Sequence, residues 1–291
     1  MSSVGDFWNF ESYEDFCDKT KSEMLSNTYV TKDGLLHKFI KKSKGDIQVQ
    51  YISEIEQEMS ENAVGKPLVS YILDDVSYII NEMGFRGSVI RDKNSIACYG
   101  CSTTYGIGLP EKDIFHHVLG DRLSRNVHNF GAPGAGVDKI SRYFNNTSNY
   151  FEFTTAIFML PSMYRFEKPA KSFDNISNKE VFFQENILPR DNNTEVDRIY
   201  GIFDDNYFKA ELIRNVHHIQ QIGKTKNILT YFSSWDDTTY KTLKQYLGND
   251  SEFLLPTFNS TEVNATLARD GSHSGPDVHR HFAQTISPII R

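Results

Sequence analysis

Three stretches of the chain carry residue types whose spacing suits acyl transfer. The first is Gly100-Cys101-Ser102-Thr103-Thr104-Tyr105-Gly106-Ile107-Gly108. A serine between glycines, where a strand pattern gives way to a helix pattern, is placed like a nucleophile. Glycine permits the tight turn, and a helix N-terminus offers N–H groups to a developing oxyanion. The second is Asp270-Gly271-Ser272-His273-Ser274-Gly275-Pro276-Asp277-Val278-His279, with Asp and His three residues apart before a proline-started helix. There a carboxylate can fix the imidazole tautomer while the imidazole takes a proton from a serine hydroxyl. The third is Asn129-Phe130-Gly131-Ala132-Pro133-Gly134-Ala135-Gly136, whose glycines let the backbone approach a ligand and aim an N–H at it. Taken singly, these are a capped glycine-rich turn, a solvated Asp–His contact and a flexible connection. Two standard motifs are absent. Thr104 stands where a G-x-S-x-G elbow needs its second glycine, and the glycines at 131, 134 and 136 have the wrong order of spacings for G-x-G-x-x-G.

The elements that must position these residues follow from the apolar pattern. Ser95–Gly100 reads as a strand, and Ile114, Phe115, Val118, Leu119 and Leu123 form a helical stripe. Asn126–Phe130 reads as a short strand, followed by a helix from about Val137. The run 153–160 is a strand stopped by Pro161. Residues 165–200 show little periodicity and read as a long loop or insertion. Phe208, Leu212, Val216 and Ile219 mark a helix, 227–232 a strand, Tyr240, Leu243, Tyr246 and Leu247 a helix, 251–255 a last strand, and Val278, Phe282 and Ile286 a C-terminal helix. Strands alternating with helices imply βαβ units and a parallel sheet with helices on both faces. In such sheets the site lies at the carboxyl ends of the strands, where all three stretches fall. Residues 1–90 differ: 11–62 are charge-rich, 68–80 suit either a helix or a buried strand, and the whole segment reads as a partly helical appendage packed on a main domain at 91–291. A flexible tail is the rival expectation for residues 1–30.

Taken together, the three stretches resemble the SGNH, or GDSL, hydrolase family. Its block G-D-S-x-T-x-G is matched by Gly100, Ser102, Thr104 and Gly106; an Asn followed five residues later by an oxyanion glycine falls on Asn129 and Gly134; and D-x-x-H with a following proline and helix is matched by Asp270, His273 and Pro276. The resemblance covers about residues 94–291. It implies a three-layer α/β/α fold with a mostly parallel, flavodoxin-like sheet, and a serine esterase without a cofactor or metal. Ser102 would be the nucleophile, with Asp270 and His273 completing the triad. The N–H groups of Ser102 and Gly134 would form the oxyanion hole. The substrate implied is a small-molecule ester or an acylated carbohydrate. Two departures stand out. Cys101 replaces the family's aspartate, and the Gly-x-Asn-Asp block is absent after the 153–160 strand, where the chain reads Pro161-Ser162-Met163-Tyr164-Arg165. Ser162 and Arg165 are the candidates for the missing third donor or for substrate binding. Losing one such donor costs about 2.7–4 kcal/mol of transition-state stabilisation. The alternative is therefore a weak or inactive protein on the same fold that binds carbohydrate or serves structurally.

Composition excludes other classes. With 291 residues, 39% hydrophobic and 13% aromatic, the chain can bury a real core, so wholesale disorder is excluded. A formal net charge of −7 argues against a nucleic-acid partner. No apolar run reaches the roughly 18 residues of a membrane span, and no signal peptide is visible, so a cytoplasmic location is the default expectation. Three cysteines exclude a disulfide scaffold. Cys98-Tyr99-Gly100-Cys101 is a C-x-x-C, but Cys98 falls inside a strand, which suits a buried thiol better than a redox pair. His273, His279 and His281, with His116, His117, His217 and His218, fit no standard zinc spacing and read as solvated helix histidines.

Overall fold

The five residues Ile96–Gly100 (β4) are buried at every position, and successive side chains serve opposite faces of the sheet. Ala97 and Tyr99 enter one apolar core, while Ile96 and Cys98 enter the other. The same alternation runs through Thr155–Leu160 (β6), with Ala156, Phe158 and Leu160 on the first face and Ile157 and Met159 on the second. A strand buried on both sides must be covered on both sides, so the sequence demands three layers. The structure, a computed structural model, describes residues 10, 12–28, 38–41, 47–50, 77–81, 83–87, 92–174, 179–187, 200–258, 266–268 and 273–290.

The main sheet is parallel throughout, in the order β5-β4-β6-β9, where β5 is Val127–Gly131 and β9 is Leu229–Ser234. Residues 251–255, expected as a further strand, contribute one parallel bridge, Phe232 to Leu254, beside β9. This places the strands in the flavodoxin-like order 2-1-3-4, with the bridge at the fifth position. The first face is covered by α4 (Val137–Thr147), α5 (Asp205–Lys226) and α6 (Asp237–Leu247); the second by α3 (Phe115–Leu123) and α7 (Pro276–Ile286). The chain is thus a three-layer α/β/α protein. Asp204 and Asp236 accept hydrogen bonds from the Tyr207 and Thr239 N–H groups and so cap α5 and α6. Pro276 stands at the first position of α7. Among the described residues no helix is long and apolar enough to cross a membrane.

A row of aromatic side chains crosses the sheet one or two residues before the strand ends. Phe130, Tyr99, Phe158 and Phe232 are register neighbours on β5, β4, β6 and β9. Their rings stack in turn at 5.1, 5.1 and 5.2 Å between centroids. Same-face pairs of this kind stiffen a sheet beyond the area they bury. The turns that carry the candidate site leave the strands directly above this row.

Where residues 165–200 were expected to form an irregular insertion, Phe166–Asp174 (β7) and Lys179–Ile187 (β8) pair antiparallel in continuous register as a hairpin. A hairpin is held by backbone bonds and needs no sustained apolar period, so the pattern gave no sign of it. Of the run 68–80, Ser77–Ile80 (β3) is a strand and residues 68–76 lie outside the described residues. It joins Lys38–Lys41 (β1) and Ile47–Gln50 (β2) in an antiparallel sheet of order β1-β2-β3.

Within residues 1–30, where a flexible tail was the rival expectation, lies a helix, α1 (Tyr13–Thr28), whose side chains pack on residues 139–151. Phe16 is fully buried and stacks on Tyr150 at 4.6 Å. Glu23 enters a buried cluster of charges. Arg142 Nη1 donates to Glu23 Oε2 at 2.8 Å and Arg142 Nη2 to Glu167 Oε1 at 2.6 Å. Lys139 Nζ lies 2.9 Å from Glu23 Oε1. Burial pushes the Glu23 carboxyl up, but the Lys139 and Arg142 charges and their hydrogen bonds outweigh it and hold its pKa down at about 2.

Candidate active site

Ser102 opens α2 (Ser102–Tyr105), directly after β4. Its position depends on close approach of backbones. Gly100 and Gly131 are register partners at the ends of β4 and β5, and α2 rests on both. A Cβ on Gly100 would lie 2.1 Å from Thr104 Oγ1 and 2.7 Å from the Met159 carbonyl; one on Gly131 would lie 2.3 Å from Tyr105 N. Asn129 ties the two turns together: its Oδ1 accepts from the Gly131 N–H at 2.9 Å and its Nδ2 donates to the Tyr105 carbonyl at 3.4 Å. Arg86 closes the far end of α2. Its Nη1 donates to the Gly106 carbonyl at 2.5 Å and its Nη2 to the Leu109 carbonyl at 2.7 Å, placing a cation where the helix leaves carbonyls unpaired. Gly131→Ala is expected to shift α2, because the atoms in its way are backbone. A displacement near 1 Å at a nucleophile costs roughly a hundredfold in kcat/KM, and overpacking adds about 1–3 kcal/mol of instability. Steady-state kinetics beside a urea unfolding curve check both.

His273 arrives from the other end of the chain. Leu267 bridges to Ser274, Ala268 N–H donates to the His273 carbonyl at 2.8 Å, and Gly275 N–H donates to the Thr266 carbonyl at 2.7 Å. This clip, followed by the proline-started α7, carries the ring to the serine: His273 Nε2 lies 2.8 Å from Ser102 Oγ. That is within the reach a nucleophile and its base require. Asp270 lies outside the described residues. Gly134 sits in the turn after β5 with φ +77°, a left-handed conformation that glycine tolerates. Among the described residues, neither the Ser102 nor the Gly134 N–H donates to any acceptor.

The third strand end carries Ser162 and Arg165. Ser162 is half-buried, and its carbonyl accepts from the Arg165 N–H at 3.1 Å. Its hydroxyl makes no hydrogen bond among the described residues, to the Ser102–His273 pair or elsewhere. Arg165 is linked through Trp235 to Cys101, the residue before Ser102. Its guanidinium carbon lies 4.9 Å over the Trp235 ring, and Trp235 Nε1 donates to Cys101 Sγ at 3.3 Å. Burial raises the Cys101 pKa, but the Arg165 charge outweighs it, together with hydrogen bonds from the Thr103 N–H, the Trp235 indole and the Ser102 hydroxyl. The thiol's pKa ends below its usual value. The residue that stands in the aspartate position is therefore a sulfur acceptor braced by the site's own donors. Cys98 belongs to the opposite core, so the two thiols of the C-x-x-C face different layers.

The reading of the helix histidines as solvated needs correction at His279 and His116. His279 is 1% exposed, and its Nδ1 accepts from the Phe115 N–H at 3.1 Å. It shares a stripe with Phe282, Ala283 and Ile286, the face α7 turns to α3. Burial first, then the neighbouring His273 and Arg86, hold its pKa down at about 3. Burial likewise pushes the His116 pKa well below its usual value. No group of metal-ligating side chains occurs among the described residues.

The sequence reading missed Trp235 and Arg86. Trp235 directly follows β9, so the strand-end rule applied to the fourth strand would have reached it. Arg86 carried no signal, because it lies in the segment read as an appendage.

No protein-family model matches the chain, and no curated protein does. Solved structures with a similar backbone include a member of the lipolytic protein G-D-S-L family from Veillonella parvula DSM 2008, at 13% identity and a TM-score of 0.40 over 66% of this chain and 95% of that one. The psychrotrophic esterase EstA from Pseudoalteromonas sp. shows 12% identity and a TM-score of 0.40 over 66% and 94%. A carbohydrate esterase family 2 enzyme from Corynascus thermopiles shows 9% identity and a TM-score of 0.44 over 74% and 69%. The chain is similar to these proteins in the course of its backbone, and its own parallel sheet, covered on both faces, makes it a flavodoxin-like α/β/α protein.

Proposed function

We propose that the chain is a serine ester hydrolase of the SGNH type. The observation that carries this reading is the 2.8 Å contact between His273 Nε2 and Ser102 Oγ, formed across 171 residues of sequence. Ser102 Oγ attacks the ester carbonyl while His273 Nε2 takes its proton. The ring then delivers that proton to the departing alcohol, leaving an acyl-serine. Water, deprotonated by the same nitrogen, attacks the acyl carbonyl, and the acid and free serine are released. Nε2 faces the serine, so Nδ1 is assigned to Asp270, which holds the tautomer and stabilises the imidazolium. The unpaired N–H groups of Ser102 and Gly134 are assigned to the oxyanion, where each donor of this kind contributes about 2.7–4 kcal/mol. The cradle needs no cofactor for these steps.

The wild-type protein is expected to hydrolyse p-nitrophenyl acetate and to react with a fluorophosphonate probe at Ser102, located by peptide mass spectrometry. Absence of both turnover and labelling overturns the hydrolase and leaves a binding protein on the same fold.

A further inference from the structure

Resting on the hydrolase reading, we infer that Arg165, held over Trp235, is a specificity residue that selects esters bearing an anionic oxygen pair, a carboxylate or phosphate group, near the scissile bond. The described arginines are otherwise committed to oxygen acceptors. Arg142 is paired with Glu23 and Glu167, Arg214 with Glu211, and Arg280 with Asp113 and Asp277. Arg86 and Arg125 donate to carbonyls, and Arg122 to the Ser287 hydroxyl. The Arg165 guanidinium, half-buried, has no oxygen acceptor and no carboxylate partner among the described residues. It retains its planar fork of donors, which matches a carboxylate or phosphate.

Its place is built rather than incidental. The Arg165 carbonyl lies where a Cβ on Gly136 would meet it at 2.5 Å, so the backbone is wedged against the Gly134–Gly136 turn. The next residue but one is fixed by the Glu167 N–H donating to Asp138 Oδ2 at 2.7 Å. The side chain is flattened on the indole at 4.9 Å. From there contacts run without a break through Trp235 and Cys101, 3.3 Å apart, to Ser102. A protein of net charge −7 does not attract anions through its overall field, so a single oriented cation, linked to the nucleophile's turn through Trp235 and Cys101, supplies the recognition locally. An ester with its anion on either side of the scissile bond, such as an acylated sugar acid, meets this description.

The test compares matched esters. On the acyl side, mono-p-nitrophenyl succinate is set against p-nitrophenyl butyrate. On the alcohol side, 3-acetoxypropanoate is set against propyl acetate. The wild type is expected to favour the anion in at least one pair, and Arg165→Gln to lower that kcat/KM ratio by at least about tenfold, the scale of a charge-assisted hydrogen bond; Arg165→Lys keeps part of the preference. A ratio unmoved by Arg165→Gln in both pairs overturns the inference, including the case where both esters slow equally, which makes Arg165 an oxyanion donor. A second measurement needs no turnover. Calorimetry on Ser102→Ala protein should show binding of monomethyl succinate that weakens at least about tenfold when Arg165→Gln is added. Arg165-dependent binding without hydrolysis by the wild type sinks the esterase and keeps the anion site. Hydrolysis without Arg165 dependence in either measurement does the reverse.

Discussion

Ser102→Ala lowers kcat on p-nitrophenyl acetate by a factor on the order of 10⁴–10⁶ and abolishes fluorophosphonate labelling. The reason is that the hydroxyl is both the nucleophile and the group His273 Nε2 meets at 2.8 Å. With the oxygen gone, only the oxyanion donors and substrate binding remain, which leave a modest advantage over water. His273→Ala should fall nearly as far, and the double variant no further than the worse single one, because the two groups act as a unit. Melting curves should coincide with that of the wild type, since Ser102 is half-buried and removing its hydroxyl leaves the contacts of α2 in place. Turnover undiminished in Ser102→Ala removes the serine from the mechanism.

Arg142→Met should produce the largest loss of stability, about 3–5 kcal/mol in urea unfolding at neutral pH. Arg142 sits with its side chain 6% exposed between Glu23 on α1 and Glu167 on β7. Its removal leaves two buried carboxylates sharing Lys139, which lies 2.9 Å from one and 3.5 Å from the other. An uncompensated buried charge costs far more than the pair contributes in net terms. The same cluster sets an acid limit. Glu23 has a folded-state pKa of about 2 against an ordinary 4.5, so its contribution is present above pH 4.5 and is lost as pH falls toward 2. In Arg142→Met the Glu23 pKa rises, this acid-dependent loss becomes smaller, and the stability curves of the two proteins converge as pH falls. A stability deficit that stays constant from pH 7 to pH 3 would show that the arginine acts through packing alone.

The sequence determined the layered architecture, because runs such as 96–100 and 156–160 are apolar at every position and cannot be strands of a half-exposed sheet. It also marked Ser102, Gly134 and His273 as candidates, the first two by glycine-rich turns at strand ends and the third by its spacing from Asp270 before a proline-started helix. What it could not carry was anything set by contact between distant segments. The β7–β8 hairpin left no period to read. Arg86, Glu23 and Trp235 act on residues 19, 119 and 134 positions away, and no local pattern encodes such partners. His279 was misjudged for the same reason: whether a helix histidine meets water or a neighbouring helix is decided by where α7 docks. Tertiary structure alone decided that the imidazole meets the serine and that a guanidinium with no oxygen acceptor among the described residues lies over the indole that contacts Cys101. Side-chain chemistry is written residue by residue, but the burial, charge compensation and close backbone approach that make it reactive exist only when separate stretches of chain share one place.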